Sequence, residues 1–472
     1  MNKNKNDSEF EPIPKSIINI AWILVLGAIM PLLDSTMINI AIKSLSSGFS
    51  SGLDLIQWVI TGYVLSMAIS VPLVGWAVQR YNGKWLMVGA NIVFLATSIA
   101  SGLSWSIGSL IVFRIVQGAS AGFIMTLVTT LCVAVAGGDR MGRMMSTVGI
   151  PMVLGPILGP VIGAVILQFL SWRYIFFVNV PIGIIAIILM VFKLPDFTPV
   201  NVKAKFDFIG IILLGGSSAS LIYGISKAAK SATFNNPTTI GFVVAGGAIL
   251  AVYIIYAAIR KEQAILPLHL FQMKNFSAVM AGLFLAGIAT NGPMLLLPLF
   301  FQNIKGFSVL NTGLILIPQG IGMLVARPLV GRLTDKTGAR YVVLVSLILA
   351  IVGTIPFVFF DETSSLIVVS IVLTIRGMGI GGVTIPMMTD AYTGMEKQEI
   401  AQASVGTRIM QNIGGAFGSA VLATVVSLWI QGKVPTIPLM TTAYHNGFML
   451  ALVLSFVLFI PTLFLTNKIS KK

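Results

Sequence analysis

Long apolar segments follow one another along almost the whole chain, and this succession constrains the fold more than any other feature. A helix needs roughly 20 apolar residues to cross a bilayer, and about fourteen such segments occur. They lie near residues 17–42, 55–78, 84–103, 107–136, 144–169, 174–193, 207–229, 238–259, 276–301, 309–331, 341–360, 365–389, 402–430 and 444–467. The alternating pattern of a membrane barrel is missing. The sequence therefore predicts an all-α polytopic membrane protein.

The composition supports a membrane protein and argues against a soluble one. Only 10% of the 472 residues are charged and 56% are hydrophobic, whereas a soluble domain carries about 25% charged residues. The formal net charge of +15 could suggest nucleic acid. Membrane proteins, however, concentrate Lys and Arg in cytoplasmic loops for topological reasons. We therefore expect the lipid bilayer as a partner and no nucleic acid.

The distribution of positive charge predicts the orientation. Most of the 30 Lys and Arg residues fall on the same side as the two termini, and Arg408 is grouped with them near the end of its span. Arg114, Arg327 and Arg376 lie inside spans. The positive-inside rule then places both termini in the cytoplasm, which requires an even number of spans.

An internal repeat divides the chain. Pro72-Leu73-Val74-Gly75, followed by Arg114, returns about 260 residues later as Pro328-Leu329-Val330-Gly331, followed by Arg376. Both copies of the four-residue segment precede a basic loop on the same predicted side, so the repeat is parallel. Parallel repeats of membrane helices are typical of secondary transporters, whose substrate path lies between the halves.

The repeat predicts three parts. Residues 1–193 would form an N-terminal six-helix bundle and residues 263–472 a C-terminal six-helix bundle. Residues 194–262 would supply two inserted helices and linkers. The remaining loops are too short to form an extramembrane domain.

Several motifs together resemble those of the major facilitator superfamily, in its 14-helix drug:proton antiporter branch of EmrB/QacA-type exporters. Residues 33–41 are similar to the first-helix signature of that branch. Residues 114–118 resemble the fourth-helix motif, and residues 149–159 resemble the fifth-helix antiporter motif. Residues 297–302 and 313–318 are similar to the ninth and tenth helices. The resemblance covers essentially the whole chain.

The chain departs from the family pattern at two places. The first cytoplasmic loop of the family usually carries Asp where Gln79 stands, although the second copy keeps Asp335. The fifth-helix motif often continues with two glycines, whereas here Gly159 is followed by Pro160.

The resemblance implies the major facilitator fold, with two six-helix bundles plus two inserted helices. It also implies proton-coupled efflux of amphipathic drugs or toxic compounds across the bacterial cytoplasmic membrane, by alternating access. Protons would be the coupling ion, no cofactor would be needed, and the protein is expected to function as a monomer. Two alternatives stay open, namely export of an endogenous metabolite or lipid by the same fold, and a membrane sensor or scaffold without transport.

Asp34 is the leading candidate for proton coupling. It is the only acidic residue well inside a predicted span, and a charge at that depth costs at least about 2.5–3.5 kcal/mol unless it faces a cavity or a partner. Burial favours the protonated form of a carboxyl. In the family resemblance, Arg114 takes part in coupling, and Gln117 could share its role. The alternative is a structural carboxylate held by Thr36, Asn39 or Arg114.

Two groups of residues are predicted to control opening and closing. Small residues let helices approach closely, and proline bends a helix, which favours a bendable seal between the halves at the fifth span. Its residues are Gly155, Pro156, Gly159 and Pro160. Charge contacts between the repeated loops could hold the cytoplasmic side closed. The residues for this latch are Arg80, Asp335 and Arg340.

The substrate cavity is predicted from polar residues within spans. The candidates are Asp34, Gln57, Trp58, Tyr63, Asn291, Gln302, Gln411 and Asn412. A lone intramembrane acid favours neutral or monocationic amphipathic compounds over divalent cations. Each of these polar residues could instead serve only helix packing.

Enzymatic chemistry has no support in the sequence. No phosphate-binding Gly-rich loop ending in Gly-Lys-Ser/Thr occurs. The two histidines, His269 and His445, are far apart, and Cys132 is the single cysteine, so no metal site is expected.

Overall fold

The computed structural model describes most of the chain. The described residues are 14–136, 141–199, 201–202, 206–231, 233–434 and 436–467. Within the helices, some side chains lie outside the described set. These belong to residues 43, 53, 54, 141, 147, 148, 150–154, 156, 157, 160, 291, 309, 397 and 398.

The described residues form α-helices joined by short loops. The helices are α1 Lys15–Met37, α2 Ile42–Phe49, α3 Leu53–Arg80, α4 Gly83–Gly102, α5 Ile107–Ala136, α6 Met141–Phe169, α7 Tyr174–Phe177, α8 Asn179–Lys193, α9 Phe208–Ser231, α10 Pro237–Arg260, α11 Lys274–Asn303, α12 Val309–Thr337, α13 Ala339–Val352, α14 Leu366–Gly381, α15 Thr384–Ala391, α16 Lys397–Ile430, α17 Ile437–Val457 and α18 Phe459–Thr462. Short 3₁₀ turns cover Lys261–Gln263, Leu268–Gln272 and Ile355–Val358.

Thirteen spans in the described part of the chain are long and apolar enough to cross a membrane. Five of these combine two consecutive helical pieces, such as α7 with α8 and α14 with α15. Helix α6, some of whose side chains lie outside the described set, adds a further helix of 29 residues. The prediction of an all-α polytopic membrane protein is confirmed.

The two copies of the repeat occupy equivalent places. Helix α3 packs on α5, and α12 packs on α14 in the same way. A methyl group built on Gly75 of α3 would lie 2.7 Å from Val405 of α16, and one on Gly331 of α12 would lie 2.8 Å from the Gly142 carbonyl of α6. Each repeat glycine therefore lets its helix approach a helix of the other predicted bundle.

The inserted helices α9 and α10 pack against one another, and α9 also contacts α3 and α16. Helix α10 has few buried residues, whereas α5 is buried along most of its length. Helix α5 is therefore central, and α10 lies at the periphery, where lipid would cover its apolar surface. The division into three parts remains a prediction from the sequence.

Candidate functional site

A buried ion pair joins α1 to α5. The Arg114 guanidinium donates to the Asp34 carboxylate through Nη1, and neither side chain is exposed. Sequence reasoning left three candidate partners for Asp34. The structure places the other two elsewhere, because Thr36 donates to the Leu32, Leu33 and Gly155 carbonyls and Asn39 to the Ser35 carbonyl.

Arg114 has further partners that hold its positive charge. Its Nη1 lies 2.8 Å from Oε1 of Gln117, and its Nε donates to the Val59 carbonyl at 3.2 Å. The guanidinium lies over the Tyr63 ring, 4.1 Å from the centroid, a cation–π arrangement. Three neutral groups therefore contact Arg114 besides Asp34, whereas its Nη2 is buried and has no hydrogen-bond partner among the described residues.

A short polar chain continues from Asp34 to α4. The Asn179 amide donates to Asp34 Oδ1 at 3.5 Å and to Ser98 Oγ at 3.0 Å, and Ser98 donates to the Phe176 carbonyl. Asn179, Ser98 and Gln117 are fully buried. The carboxylate therefore sits at the end of a hydrogen-bonded network rather than against lipid.

A separate cavity of about 270 Å³ lies between helices of the two predicted bundles. Its walls come from α5, α6, α11, α12, α15 and α16. The polar lining is Thr129, Thr290, Arg327, Thr384, Arg408, Gln411 and Asn412. Of the predicted substrate residues, Gln411 and Asn412 therefore line this cavity. We call it the central cavity.

The other predicted substrate residues lie elsewhere. Asp34 and Tyr63 belong to the ion-pair network, and Gln57 accepts from Lys230 at 2.5 Å. Trp58 stacks on Tyr223, with the ring centroids 5.9 Å apart. Gln302, near the end of α11, is partly buried and does not line the central cavity. The Asn291 side chain lies outside the described set.

Tyr392, which directly follows α15, stays neutral. Its hydroxyl is hydrogen-bonded to Thr407 Oγ1 at 3.2 Å, and burial raises the pKa of its phenol above the usual value. It therefore supplies no negative charge to nearby Arg408.

The predicted latch residue Asp335 joins α12 to α6. Its carboxylate accepts from the Gly142 and Arg143 amides at 2.7 and 3.2 Å, and from Arg143 Nε at 2.9 Å. Arg80, the last residue of α3, is exposed. Arg340 donates its backbone amide to the Thr466 carbonyl, while its Nε has no partner among the described residues. Among the described residues, Asp335 therefore makes an acid–base contact between the predicted bundles with Arg143. Sequence reasoning did not name Arg143 as its partner.

The predicted seal on α6 packs against α1. A methyl group built on Gly155 would lie 2.9 Å from Leu32 Cβ, and one on Gly159 would overlap Thr36 Oγ1. The sequence predicted a seal between the two halves, but these glycines contact a helix of the same predicted bundle. The contact with the other bundle is made nearer the start of α6, at Gly142 and Gly149. The side chains of Pro156 and Pro160 lie outside the described set.

Comparison with known proteins decides the family. The model for the family described as "Major Facilitator Superfamily" matches residues 24–419. The chain belongs to the Major Facilitator Superfamily. A "Multidrug resistance protein B homolog" of Mycobacterium tuberculosis is 30% identical over 413 residues, covering 87% of this chain and 76% of the relative. The "Lincomycin resistance protein LmrB" of Listeria monocytogenes is 25% identical and covers 97% of both chains.

Solved structures agree on the fold. A "proton:xylose symporter XylE" structure superposes with a TM-score of 0.63 at 15% identity, over 94% of this chain and 96% of the other. At that identity the likeness concerns the fold alone. The relatives place this Major Facilitator Superfamily protein in the multidrug-exporter branch indicated by its motifs. It is thus a multi-pass membrane transporter for small substrates, and not an enzyme.

Two cavity residues of this transporter were missed by sequence reasoning. Arg327 was noted only as lying inside a span, and Arg408 was grouped with the cytoplasmic charges. Helix α16 begins at Lys397, so Arg408 lies about three turns inside it. Arg327 could have been predicted from the sequence, because an ionisable residue within a span is by default a candidate functional residue.

Proposed function

We propose that the protein is a proton-coupled antiporter that exports amphipathic toxic compounds by alternating access. The observation that carries the proposal is the buried ion pair of Asp34 and Arg114. An acid and a base that are both fully shielded cost desolvation free energy, and a well-packed apolar pair is often at least as stable. Such a pair inside a transporter is therefore best explained by a cycle that makes and breaks it.

Protonation of Asp34 would neutralise its carboxylate and release the strongest contact of Arg114. Gln117, the Val59 carbonyl and the Tyr63 ring would then hold the guanidinium. Since α1 also carries the contact with Gly155 and Gly159, breaking the pair would loosen α1 from α5 while it stays packed on α6. Protonation of Asp34 would thereby change the position of α1 relative to α5.

Contacts near the predicted cytoplasmic face favour closure on that side. Arg143 with Asp335 and Gly142 with Gly331 hold α6 to α12 there. Nearer the opposite end of α12, a methyl group built on Gly313 would have Val161 as its nearest neighbour, at 4.0 Å. At this position the two helices are farther apart than at Gly331, as expected for a state in which a proton could enter and substrate could leave.

The available driving force suffices for export. At a membrane potential of about 150 mV, one charge moved across the membrane supplies roughly 3.5 kcal/mol. That free energy supports a concentration gradient of roughly 300-fold. A single coupling carboxylate is therefore enough for resistance to a toxic compound.

The test is Asp34→Asn in everted membrane vesicles energised by respiration. We expect proton-driven substrate accumulation to fall at least tenfold, while exchange of labelled for unlabelled substrate without a gradient persists. Asp361→Asn is the matched control, because Asp361 is exposed and accepts hydrogen bonds from Thr363 and Ser364 of its own loop. Unchanged proton-driven accumulation by Asp34→Asn would refute the coupling role.

Export of an endogenous metabolite or lipid by the same fold is the second candidate. A disrupted strain that accumulates a metabolite but gains no drug sensitivity would favour it.

A further inference from the structure

We infer that the central cavity recognises the anionic group of an amphipathic substrate, through Arg327 of α12 and Arg408 of α16. This inference deepens the proposed export function and rests on it. It also reverses the preference for neutral or monocationic compounds that the sequence suggested, because Asp34 is paired with Arg114 and does not line this cavity.

Arg327 is buried, and the part of the chain that the structure describes offers its Nε and Nη1 no hydrogen-bond partner. Its side chain is 7% exposed. The guanidinium lies over Gly149, since a methyl group built there would lie 2.8 Å from Arg327 Cζ. A buried charge without hydrogen bonds is costly. An unpaired guanidinium in a transporter cavity therefore indicates a ligand that supplies the missing acceptor.

Arg408 adds a second positive charge to the same cavity. It is 9% exposed, and its Nη2 donates to the Met125 carbonyl at 2.8 Å. That contact satisfies a hydrogen bond but leaves the charge uncompensated. Two arginines thus line one cavity, and their planar N–H forks suit carboxylate or sulfonate oxygens.

Acids on the surrounding helices do not balance these charges. Helices α5, α6 and α11 contain no Asp or Glu in their sequence, and α12, α15 and α16 contain one each. All three are engaged elsewhere. Asp335 binds Arg143, Asp390 binds Thr466, and Glu399 binds His269 at 2.9 Å. The cavity therefore presents a net positive charge.

The fold itself does not require Arg at position 327. Arg327 directly precedes Pro328 in the second copy of the repeat, and Val71 directly precedes Pro72 in the first. Val71 is 1% exposed and packs in the core. Because an apolar residue occupies the equivalent position in the first copy of the repeat, helix packing does not explain the arginine at position 327. Recognition of an anionic substrate group explains it better.

The rest of the lining fits the apolar body of a substrate. Met145, Leu283, Ile385 and Met388 contribute apolar surface, and methionine adapts to ligands of varied shape. A compact aromatic or aliphatic body bearing one carboxylate or sulfonate matches this combination.

The test compares two fluorescent probes that share one body, pyrenesulfonate and pyrenesulfonamide, binding to the full-length protein in lipid nanodiscs without any gradient. We expect the sulfonate to bind at least tenfold more tightly than the neutral sulfonamide. Arg327→Gln should weaken sulfonate binding about 10- to 100-fold, as loss of a charged hydrogen bond does, and should leave sulfonamide binding within threefold.

Two further variants separate recognition from folding. Arg327→Lys keeps the charge and should restore part of the affinity. Arg332→Gln removes the same charge from an exposed position on the same helix and should change nothing. A sulfonate that binds no better than the sulfonamide, or an Arg327→Gln effect no larger than that of Arg332→Gln, overturns the inference.

The two proposals fail separately. Proton-driven export of neutral or cationic compounds, without tighter sulfonate binding, would retain the antiporter and reject the anion site. Tight sulfonate binding that depends on Arg327, without proton-driven export of any compound, would retain the site and reject the antiporter.

Discussion

The Asp34 carboxylate on α1 and the Arg114 guanidinium on α5 face each other with neither side chain exposed. They lie 80 residues apart in sequence, so their contact depends on how the two helices pack. Removing one member leaves the other buried and charged, which typically costs 3–5 kcal/mol. Stability and coupling are therefore linked through the same two groups.

Arg114→Gln should destabilise the protein by about 3 kcal/mol, because Asp34 then lacks its countercharge. The double variant Asp34→Asn/Arg114→Gln should recover a large part of that loss, since neither charge remains. Thermal unfolding of the detergent-purified variants measures both effects. A double variant no more stable than Arg114→Gln would show that the two residues are not energetically coupled.

Asp335→Asn should open the predicted cytoplasmic side more often. The carboxylate accepts three hydrogen bonds from α6, one from the Gly142 amide and two from Arg143. Because the pair is partly exposed, a loss of about 1 kcal/mol is expected. That corresponds to roughly fivefold more of the open state. The measurement is the rate of maleimide labelling at Ser146→Cys, which lies beside Gly331 at the α6–α12 contact.

The labelling experiment requires the removal of only one native cysteine. Cys132 is the only cysteine in the chain and is buried, so Cys132→Ala leaves Ser146→Cys as the sole reporter. Asp361→Asn, on an exposed loop, is the control. Equal labelling rates with and without Asp335 would contradict a latch role.

Gly159→Ala should impair transport by disturbing the α1–α6 contact. The added methyl group would overlap Thr36 Oγ1, and cores usually lose 1–3 kcal/mol on overpacking. Gly216→Ala is the matched control, because a methyl group there meets nothing within 4 Å and alanine is the better helix former. We expect Gly159→Ala to unfold at a lower temperature and to exchange substrate more slowly in a counterflow assay than Gly216→Ala. Equal unfolding temperatures and equal counterflow rates in the two variants would contradict a special role for Gly159.

Export of a monoanion in exchange for one proton should be strongly electrogenic. Two charges then move in the favourable direction, which supplies roughly 7 kcal/mol at about 150 mV. In proteoliposomes, a potassium diffusion potential without a pH gradient should therefore accelerate pyrenesulfonate transport in the wild type. A transport rate that does not depend on the membrane potential would indicate an electroneutral exchange. It would argue against the exchange of one anionic substrate molecule for one proton.

The sequence predicted the fold well because its signals are local. Runs of apolar residues predict the membrane spans directly. The repeated Pro72–Gly75 and Pro328–Gly331 segments indicate which helices of the two halves correspond to each other. The partner of Asp34 could not be chosen from Thr36, Asn39 and Arg114, because that choice depends on the rotation of α1 against α5. Arg143 was likewise not identified as the partner of Asp335, since the contact joins helices almost 200 residues apart.

The cavity was harder to predict. Gln411 and Asn412 were found because polar residues within a span stand out, but Gln57, Trp58 and Gln302 look the same in sequence and lie elsewhere. Arg408 was misread because the start of α16 is polar and hides how deep the residue lies. Charge balance around a cavity becomes visible only when the surrounding helices are known.

The coupling role of Asp34 is tested most sharply by counting the protons that the transporter releases when substrate binds. Pyrenesulfonate, which stays ionised throughout, would be titrated calorimetrically into the purified transporter in buffers of different ionisation enthalpy, from pH 5 to pH 8. We expect release of about one proton per transporter at one or more of these pH values, and none from Asp34→Asn. Binding without proton release at every pH, or equal release from Asp34→Asn, would contradict it.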